Sequence, residues 1–378
     1  MSMSSPGIKI FIFIVGFMQI ILFLVHYVFY RFGVGTFSVL EKNKYAFGAA
    51  MFILSLSFTL GMTLVQRFEN TLTGYVYYFA AVWLGTIFWL FLSVLLSTIL
   101  RYFIPADTSM YTLVPGVLVA LALLLSGYGV YHGRDPVIVK KDIYVNNLPD
   151  SWQGRRVVFV ADTHYGNIHN KSKAEKDLAF IKSINPDMLF IAGDFFDGPK
   201  KDLNQFSDVY KDFNPKFGKY FVNGNHEEYA GMIASLDALK SAGFVILDNQ
   251  NVDSDGVQLL GVPYTTNAKS DIDASTTTKL LSGFMYDQNS PSILLKHIPI
   301  NTDIIKDARV SFAFFGHTHR GQSWPMNLIV KKIYGKHGYG FVQEDETLFY
   351  TTSGLGSWGP PQRIGSDSEL LLATFNKK

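Results

Sequence analysis

Cysteine is absent from all 378 residues. Disulfides, thiolate metal sites and cysteine nucleophiles are thereby excluded, and any metal centre must be assembled from His, Asp, Glu and Asn. Charge is scarce as well. Asp, Glu, Lys and Arg make up 17% of the chain against 48% hydrophobic residues, an apolar balance for a soluble protein. A net charge of +2 gives no strong pull toward nucleic acid. The scarcity is uneven: residues 1–134 hold seven Lys/Arg and three acids, whereas the remainder holds 26 and 28.

Within that charge-poor third, residues 10–30, 45–65, 75–100 and 111–131 contain no Lys, Arg, Asp or Glu. Each stretch is long enough for a helix to cross the ~30 Å of bilayer hydrocarbon. Tyr30, Tyr45, Tyr75, Tyr77 and Tyr78 lie near their ends, where aromatic rings favour the membrane interface. A cleaved signal peptide would account for the first stretch only. Gln19 and His26 are polar positions inside the first span, and interfacial snorkelling or a helix–helix hydrogen bond, rather than a proton relay, is the expected use of each. Four spans put both termini on one side. Lys9, Arg67, Arg134, Lys140 and Lys141 on that side face Arg31, Lys42, Lys44 and Arg101 on the other, a balance that gives no orientation. The sequence therefore divides into a four-span transmembrane domain (1–131), a juxtamembrane linker (132–142) broken by Asp135-Pro136, and a charge-rich domain (143–378) held close to the lipid.

The last domain alternates short β-branched runs with helical patterns, which predicts an α/β fold with a buried sheet. Strands are expected at 155–162, 187–194, 219–227, 257–264, 292–299, 310–319, 348–356 and 369–375. Helices are expected at 170–184, capped by Asn170, and at 230–243, stopped by Gly243. Five of these strands end in polar residues suited to metals: Asp162-Thr163-His164, Gly193-Asp194, Gly224-Asn225-His226, His297 and His317-Thr318-His319. Residues i and i+2 of extended backbone point to one face, so both the D-x-H and the H-x-H pairs are expected to converge. Gly224 is expected to turn the backbone sharply. Taken singly, each position has an ordinary reading as a turn residue or a hydrogen-bonded histidine. Together, five of nine histidines stand at strand ends beside acids or amides.

In order, the chain reads DTH (162–164), GDFFDG (193–198), GNHE (224–227), HIP (297–299) and GHTHRGQ (316–322). This series resembles the calcineurin-like metallophosphoesterase superfamily, with its pattern D-x-H, G-D-x-x-D, G-N-H-[ED], H and G-H-x-H. The closing SGLGSWGPPQRIG (353–365) is similar to a bacterial membrane-associated subgroup. The resemblance implies a metallophosphoesterase sandwich of two mixed β-sheets flanked by helices, here preceded by the four-helix transmembrane domain. It also implies two divalent metals. Asp162, His164, Asp194 and His319 would hold the first; Asp194, Asn225, His297 and His317 would hold the second, with Asp194 shared. Oxygen and nitrogen donors suit Mn, Fe or Zn, and the resemblance favours Mn. His226 would act on the leaving oxygen. Asp197 and Glu227 would orient His226 or the ligand histidines, and Asn225, Arg320 and Arg363 would contact a substrate phosphate.

The function implied is a membrane-anchored, metal-dependent phosphoric ester hydrolase. Its substrate is expected to be a phosphodiester or phosphomonoester at the membrane surface, such as a lipid headgroup or lipid-linked phosphate. Two alternatives stand beside it: an anchored phosphodiesterase for soluble substrates such as nucleotides, and a non-catalytic membrane scaffold. The expected partners are the bilayer and the ester, with no specific nucleic acid. The complete ligand set speaks against the scaffold, and the nearly charge-free spans speak against transport.

Overall fold

The computed structural model describes residues 6–198, 202–264, 270–282 and 286–378, and they form two compact units. The first unit comprises residues up to Tyr131 together with Gly359–Gln362. Its helices are α1 (Pro6–Thr36), α2 (Ser38–Lys42), α3 (Lys44–Arg67), α4 (Thr71–Arg101) and α5 (Met110–His132). Four of them, all but α2, are long and apolar enough to cross a membrane. Large apolar side chains such as Leu24, Ile53, Leu72 and Leu124 point outward, as lipid contact requires. Polar groups inside the bundle are paired. Gln19 donates to the Ser55 carbonyl (2.9 Å) and accepts from the Thr59 hydroxyl (2.7 Å), tying α1 to α3. His26 donates through Nδ1 to the Leu22 carbonyl (2.7 Å) and accepts at Nε2 from Trp83 (2.9 Å), tying α1 to α4. Gln362 donates to the Ser126 hydroxyl (2.8 Å) and to the Val82 carbonyl (3.2 Å).

The second unit runs from His132 to Trp358 and from Arg363 to Lys378. It holds two six-stranded mixed sheets. Its strands are β1 (Val137–Val145), β2 (Arg155–Val160), β3 (Met188–Ala192), β4 (Lys219–Val222), β5 (Val245–Ile246), β6 (Gln250–Ser254), β7 (Val257–Val262), β8 (Ser292–Lys296), β9 (Phe312–Phe315), β10 (Gly340–Glu344), β11 (Thr347–Thr351) and β12 (Glu369–Lys377). The sheet orders are β1-β12-β2-β3-β4-β5 and β10-β11-β9-β8-β7-β6. The helices are α6 (Lys171–Ile184), α7 (Asn204–Ser207), α8 (Asn225–Ala230), α9 (Met232–Ser241), α10 (Ser270–Ser282), α11 (Thr302–Asp307) and α12 (Met326–Tyr334).

Strand alternation explains the layering. In β2, Val157 and Phe159 enter a core shared by both sheets, while Val158 and Val160 face a second core under α6 and α9. In β9, Phe312 and Phe314 join the shared core, while Ala313 and Phe315 pack with α11 residues. Phe159 is the hub, with ring centroids 5.0–5.1 Å from Phe190, Phe312 and Phe314. Each fully buried ring contributes about 2–3 kcal/mol of apolar burial. Strands β2, β3, β4, β8 and β9 pair in parallel within their sheets, so their carboxyl ends lie along one edge of each sheet.

Two expectations change. The linker predicted over 132–142 is largely strand, because residues 137–145 pair in parallel with β12 across nine positions. The charged Lys140-Lys141-Asp142 hides this edge strand from a hydrophobic reading, since edge positions tolerate charge. The unpaired connection shrinks to residues 133–136. The predicted strands also end two to five residues early. β2 stops at Val160, β3 at Ala192, β4 at Val222 and β9 at Phe315, and the metal-suited residues lie beyond, in loops or, for Asn225 and His226, at the start of α8.

Candidate metal centre

Those loops are held by backbone pairing that continues past the strands. The Asp162 amide donates to the Gly193 carbonyl (3.1 Å), His164 to the Asp194 carbonyl (3.0 Å) and Gly316 to the His297 carbonyl (2.9 Å). The conformation is not extended. Asp162, His164, Asp194, His317 and His319 have φ of +57°, +48°, +53°, +69° and +49°. A left-handed non-glycine residue costs of order 1 kcal/mol, so five at one site mark strain retained for geometry. Convergence of Asp162 with His164 therefore comes from left-handed turns and not from β alternation. The same turns send His317 and His319 apart. His319 joins Asp162 and His164, while His317 joins Asp194 and His297, the ligand atoms in each set lying within 4.8 Å of one another.

Asp194 links the two sets. Its Oδ2 lies 3.1 Å from His297 Nε2 and 3.8 Å from His164 Nε2, and its Oδ1 accepts from the His226 amide (2.9 Å). Asn225 Oδ1 stands 3.0 Å from His317 Nδ1, so the amide reaches the second set as well. Gly224 is extended (φ −108°, ψ −170°), contrary to the sharp turn expected of it. Its requirement is close approach: a Cβ there would lie 2.2 Å from Asp194 Oδ1.

The pocket is apolar enough to disturb its own ionisations. Burial pushes the Asp162 carboxyl up to about 6, with the neighbouring Asp194 charge adding to the rise. Burial would also raise Asp194, but His297, His164 and His226 outweigh it and hold it well below the usual carboxylate range. Burial lowers His317 to about 3, helped by the His297 charge, and carries His319 well below its ordinary value. For His297 burial is overcome by Asp194, which raises the imidazole to about 9. An ionised Asp194 beside neutral His317 and His319 matches the protonation states that metal ions require, whereas His297 would have to release the proton that Asp194 favours. His164 Nδ1 and His297 Nε2 are buried without an aligned hydrogen bond, each facing a carboxylate oxygen (Asp197 at 3.5 Å and Asp194 at 3.1 Å), and His164 Nε2 points at His319 Nε2 across 3.0 Å. Converging nitrogen and oxygen lone pairs, with ring nitrogens that lack an aligned hydrogen bond, fit divalent cations.

The supporting residues divide sharply. Glu227 is fully buried and accepts from the amides of Asp194 (3.0 Å), Phe195 (2.8 Å), Phe196 (3.2 Å) and Gly224 (2.7 Å). It shapes the loops that carry the ligands and makes no bond to a histidine ring. Burial and the Asp194 charge raise its carboxyl to about 7. Asp197 does orient His226, through its carbonyl, which accepts from His226 Nδ1 (2.7 Å). Its carboxylate lies 3.5 Å from His164 Nδ1. Arg320 lies over the Tyr339 ring, 4.3 Å from the centroid, and stays half-buried.

Arg363 does not fit its expected part. It is fully buried, and its guanidinium donates to the carbonyls of His319 (3.2 Å), Ser353 (2.6 Å), Gly354 (3.2 Å) and Gly356. A group committed to four carbonyls cannot grip a substrate phosphate. Arg363→Ala leaves the Ser353 and Gly356 carbonyls without a donor and removes one of two donors from those of His319 and Gly354, so a loss of about 3 kcal/mol in stability is expected. Thermal unfolding of the detergent-solubilised chain reads this. An unchanged unfolding temperature with only a raised KM would restore the phosphate role.

Sequence reasoning missed three residues around the mouth. His169, buried, bonds the Ser357 hydroxyl (2.8 Å) and accepts from the Ser357 amide (3.0 Å), fixing the closing loop. Tyr229 and Trp358 flank His226 at ring distances of 5.1 Å and 6.4 Å. An aromatic residue following the GNHE motif and another in a Gly/Pro-rich loop were the available signals.

Residues 155–321 match the family model of the calcineurin-like phosphoesterases. A metallophosphoesterase of Helicobacter pylori (strain J99) is 30% identical over 255 residues, covering 66% of this chain and 67% of that protein. The chain belongs to the calcineurin-like phosphoesterase family. A zebrafish (Danio rerio) transmembrane protein with metallophosphoesterase domain is 27% identical over 270 residues, 66% of this chain; the match spans 60% of that protein's length. Phosphodiesterase YaeI of Escherichia coli is 27% identical over 253 residues, covering 61% of this chain and 87% of that protein. With its four apolar helices, this calcineurin-like phosphoesterase is a multi-pass membrane protein.

Proposed function

We infer that the chain is a membrane-anchored, dinuclear metal-dependent phosphoester hydrolase. The substrate class is a phosphodiester or phosphomonoester presented at the membrane surface, a lipid headgroup or lipid-linked phosphate. The reading is carried by one observation: two ligand sets meet at Asp194 in a buried pocket with imidazole nitrogens that lack an aligned hydrogen bond. The diester preference is supported by the similarity to a phosphodiesterase. The membrane preference is supported by the four-residue connection between α5 and β1.

Asp162, His164, Asp194 and His319 would hold one divalent ion, and Asp194, Asn225, His297 and His317 the other. When bound, two such ions supply Lewis acidity toward phosphoryl oxygens and make hydroxide available near neutral pH. Mn is the ion we favour. The protein's own residues do the rest. Asp162 accepts the His317 amide on both carboxylate oxygens (3.0 Å each), fixing one loop against the other. His226, its Nδ1 committed to the Asp197 carbonyl, presents Nε2 for proton donation to the leaving oxygen. Arg320, next to His319 in the chain, would contact the phosphate.

The test is chelation and reconstitution of the full chain in detergent, with metal analysis alongside hydrolysis of an aryl phosphodiester. Activity is expected to vanish on chelation and to return with Mn²⁺ at two ions per chain. A chain that binds the ions yet stays inert on aryl diesters, nucleotides and phospholipid micelles would favour the scaffold reading. Turnover confined to the soluble esters would favour an anchored enzyme for soluble substrates.

A further inference from the structure

Large apolar side chains stand exposed on segments that adjoin the metal-suited residues. Trp324, Leu328, Ile329, Ile333, Trp358 and Tyr229 are each more than half exposed, between 51% and 66%. A single exposed leucine means little, but large side chains gathered on one rim mark a docking surface. Three segments bring them together. Tyr229 and Trp358 lie beside His226, as described above. Gln322 clips the Trp358 loop, donating to its carbonyl (3.1 Å) and accepting from its amide (2.9 Å). α12 then places Tyr334 at 6.2 Å from His317. Leu328, Ile329 and Ile333 lie on its exposed side with Lys331 and Lys332. Leu328 and Lys332 are one helical turn apart, as are Ile329 and Ile333, so an aliphatic ridge lies beside a cationic side chain.

We propose that this rim, α12 with Trp324, Trp358 and Tyr229, inserts into the interfacial layer of the bilayer and opens the metal centre toward lipid headgroups. Aliphatic side chains beside lysines on a short amphipathic helix suit the boundary between acyl chains and anionic headgroups, and Trp and Tyr favour that depth. The covalent connections favour a bilayer over a soluble partner. The chain enters this domain from α5 through residues 133–136, and it rejoins the helical unit at Gly359, one residue after Trp358. The proposal deepens the reading of the site as a phosphoesterase by naming where its substrate enters, but docking is measurable without catalysis.

Because the chain has no cysteine, single labelling sites can be introduced cleanly. Ile329→Cys, Ile333→Cys and, as a control on the exposed side of α6, Glu175→Cys would each carry a nitrobenzoxadiazole probe. The full chains are reconstituted into phosphatidylcholine–phosphatidylglycerol vesicles with or without bromine on the acyl chains. Circular dichroism and gel filtration verify folding. Quenching by brominated chains at 329 and 333 is expected to exceed that at 175 by about twofold or more, as for side chains seated at the acyl boundary. Equal quenching at all three sites, or none at 329 and 333, overturns the proposal. A blue-shifted probe without bromine quenching would report a protein surface, including a second copy of the chain, and overturns it too. A docked rim on a chain that hydrolyses nothing would leave this inference standing and sink the phosphoesterase reading instead.

Discussion

Asp194→Asn is expected to strip the protein of both ions and reduce hydrolysis to background. The Asp194 carboxylate stands between the two ligand sets, 3.1 Å from His297 and 3.8 Å from His164, and it approaches His297 more closely than Asp162 does at 3.9 Å. An amide keeps one carbonyl oxygen, which can still accept the His226 amide, but it loses the charge and the second donor oxygen. Charge stabilisation by a metal is worth several kcal/mol, and each ~1.4 kcal/mol is tenfold in rate, so the loss is about a thousandfold or more. Metal analysis should fall from two ions toward none. The loop bond should survive, because the amide oxygen can still accept the His226 amide, although the favourable pairing with His297 is lost. A thermal unfolding temperature near that of the metal-free wild type separates lost ligation from lost structure. Retention of both ions would refute the shared-ligand assignment.

The difference between what the sequence disclosed and what it hid follows from the range of the interactions. β2, β3, β8 and β9 are buried on both faces, so their runs of Val, Ile, Leu and Phe announce themselves. β1 is an edge strand with a charged middle, and its pairing with β12 depends on residues more than two hundred positions away. The β6–β7 hairpin was legible in principle. Asp255-Gly256 adopts left-handed φ at both positions (+52° and +87°), the two-residue turn that such a dipeptide signals. At the site, residue types and spacing named the polar cluster, yet the i, i+2 argument gave the wrong cause for its convergence. Left-handed backbone at Asp162 and His164 is imposed by contacts with the Asp194 loop, which no local pattern encodes. Arg363 misled for a related reason. An arginine after a Gly/Pro-rich loop reads as exposed, and only the folded loop reveals four carbonyls converging on it.

His226→Ala should leave both ions in place while cutting turnover, and the size of the cut should depend on the leaving group. The ring is fixed by the bond from Nδ1 to the Asp197 carbonyl, and Tyr229 and Trp358 wall it on the outer side. Its competing role is visible in the geometry, since its ligand atom lies within 4.8 Å of those of His164 and Asp194. A proton donor and a metal ligand make opposite predictions. If His226 donates a proton, an alkyl diester, whose alkoxide leaves poorly, should lose about 10²–10⁴-fold. A nitrophenyl diester, whose leaving group needs no proton, should lose far less. Burial lowers the His226 pKa, and the charge of His164 lowers it further. An acid works only while protonated, so wild-type turnover of the alkyl ester should decline as pH rises through that lowered value, and the alanine variant should lose this limb of the profile. If His226 is instead a ligand, metal content falls and both esters suffer alike. Metal analysis and the ratio of the two rates, measured on one preparation, decide between them.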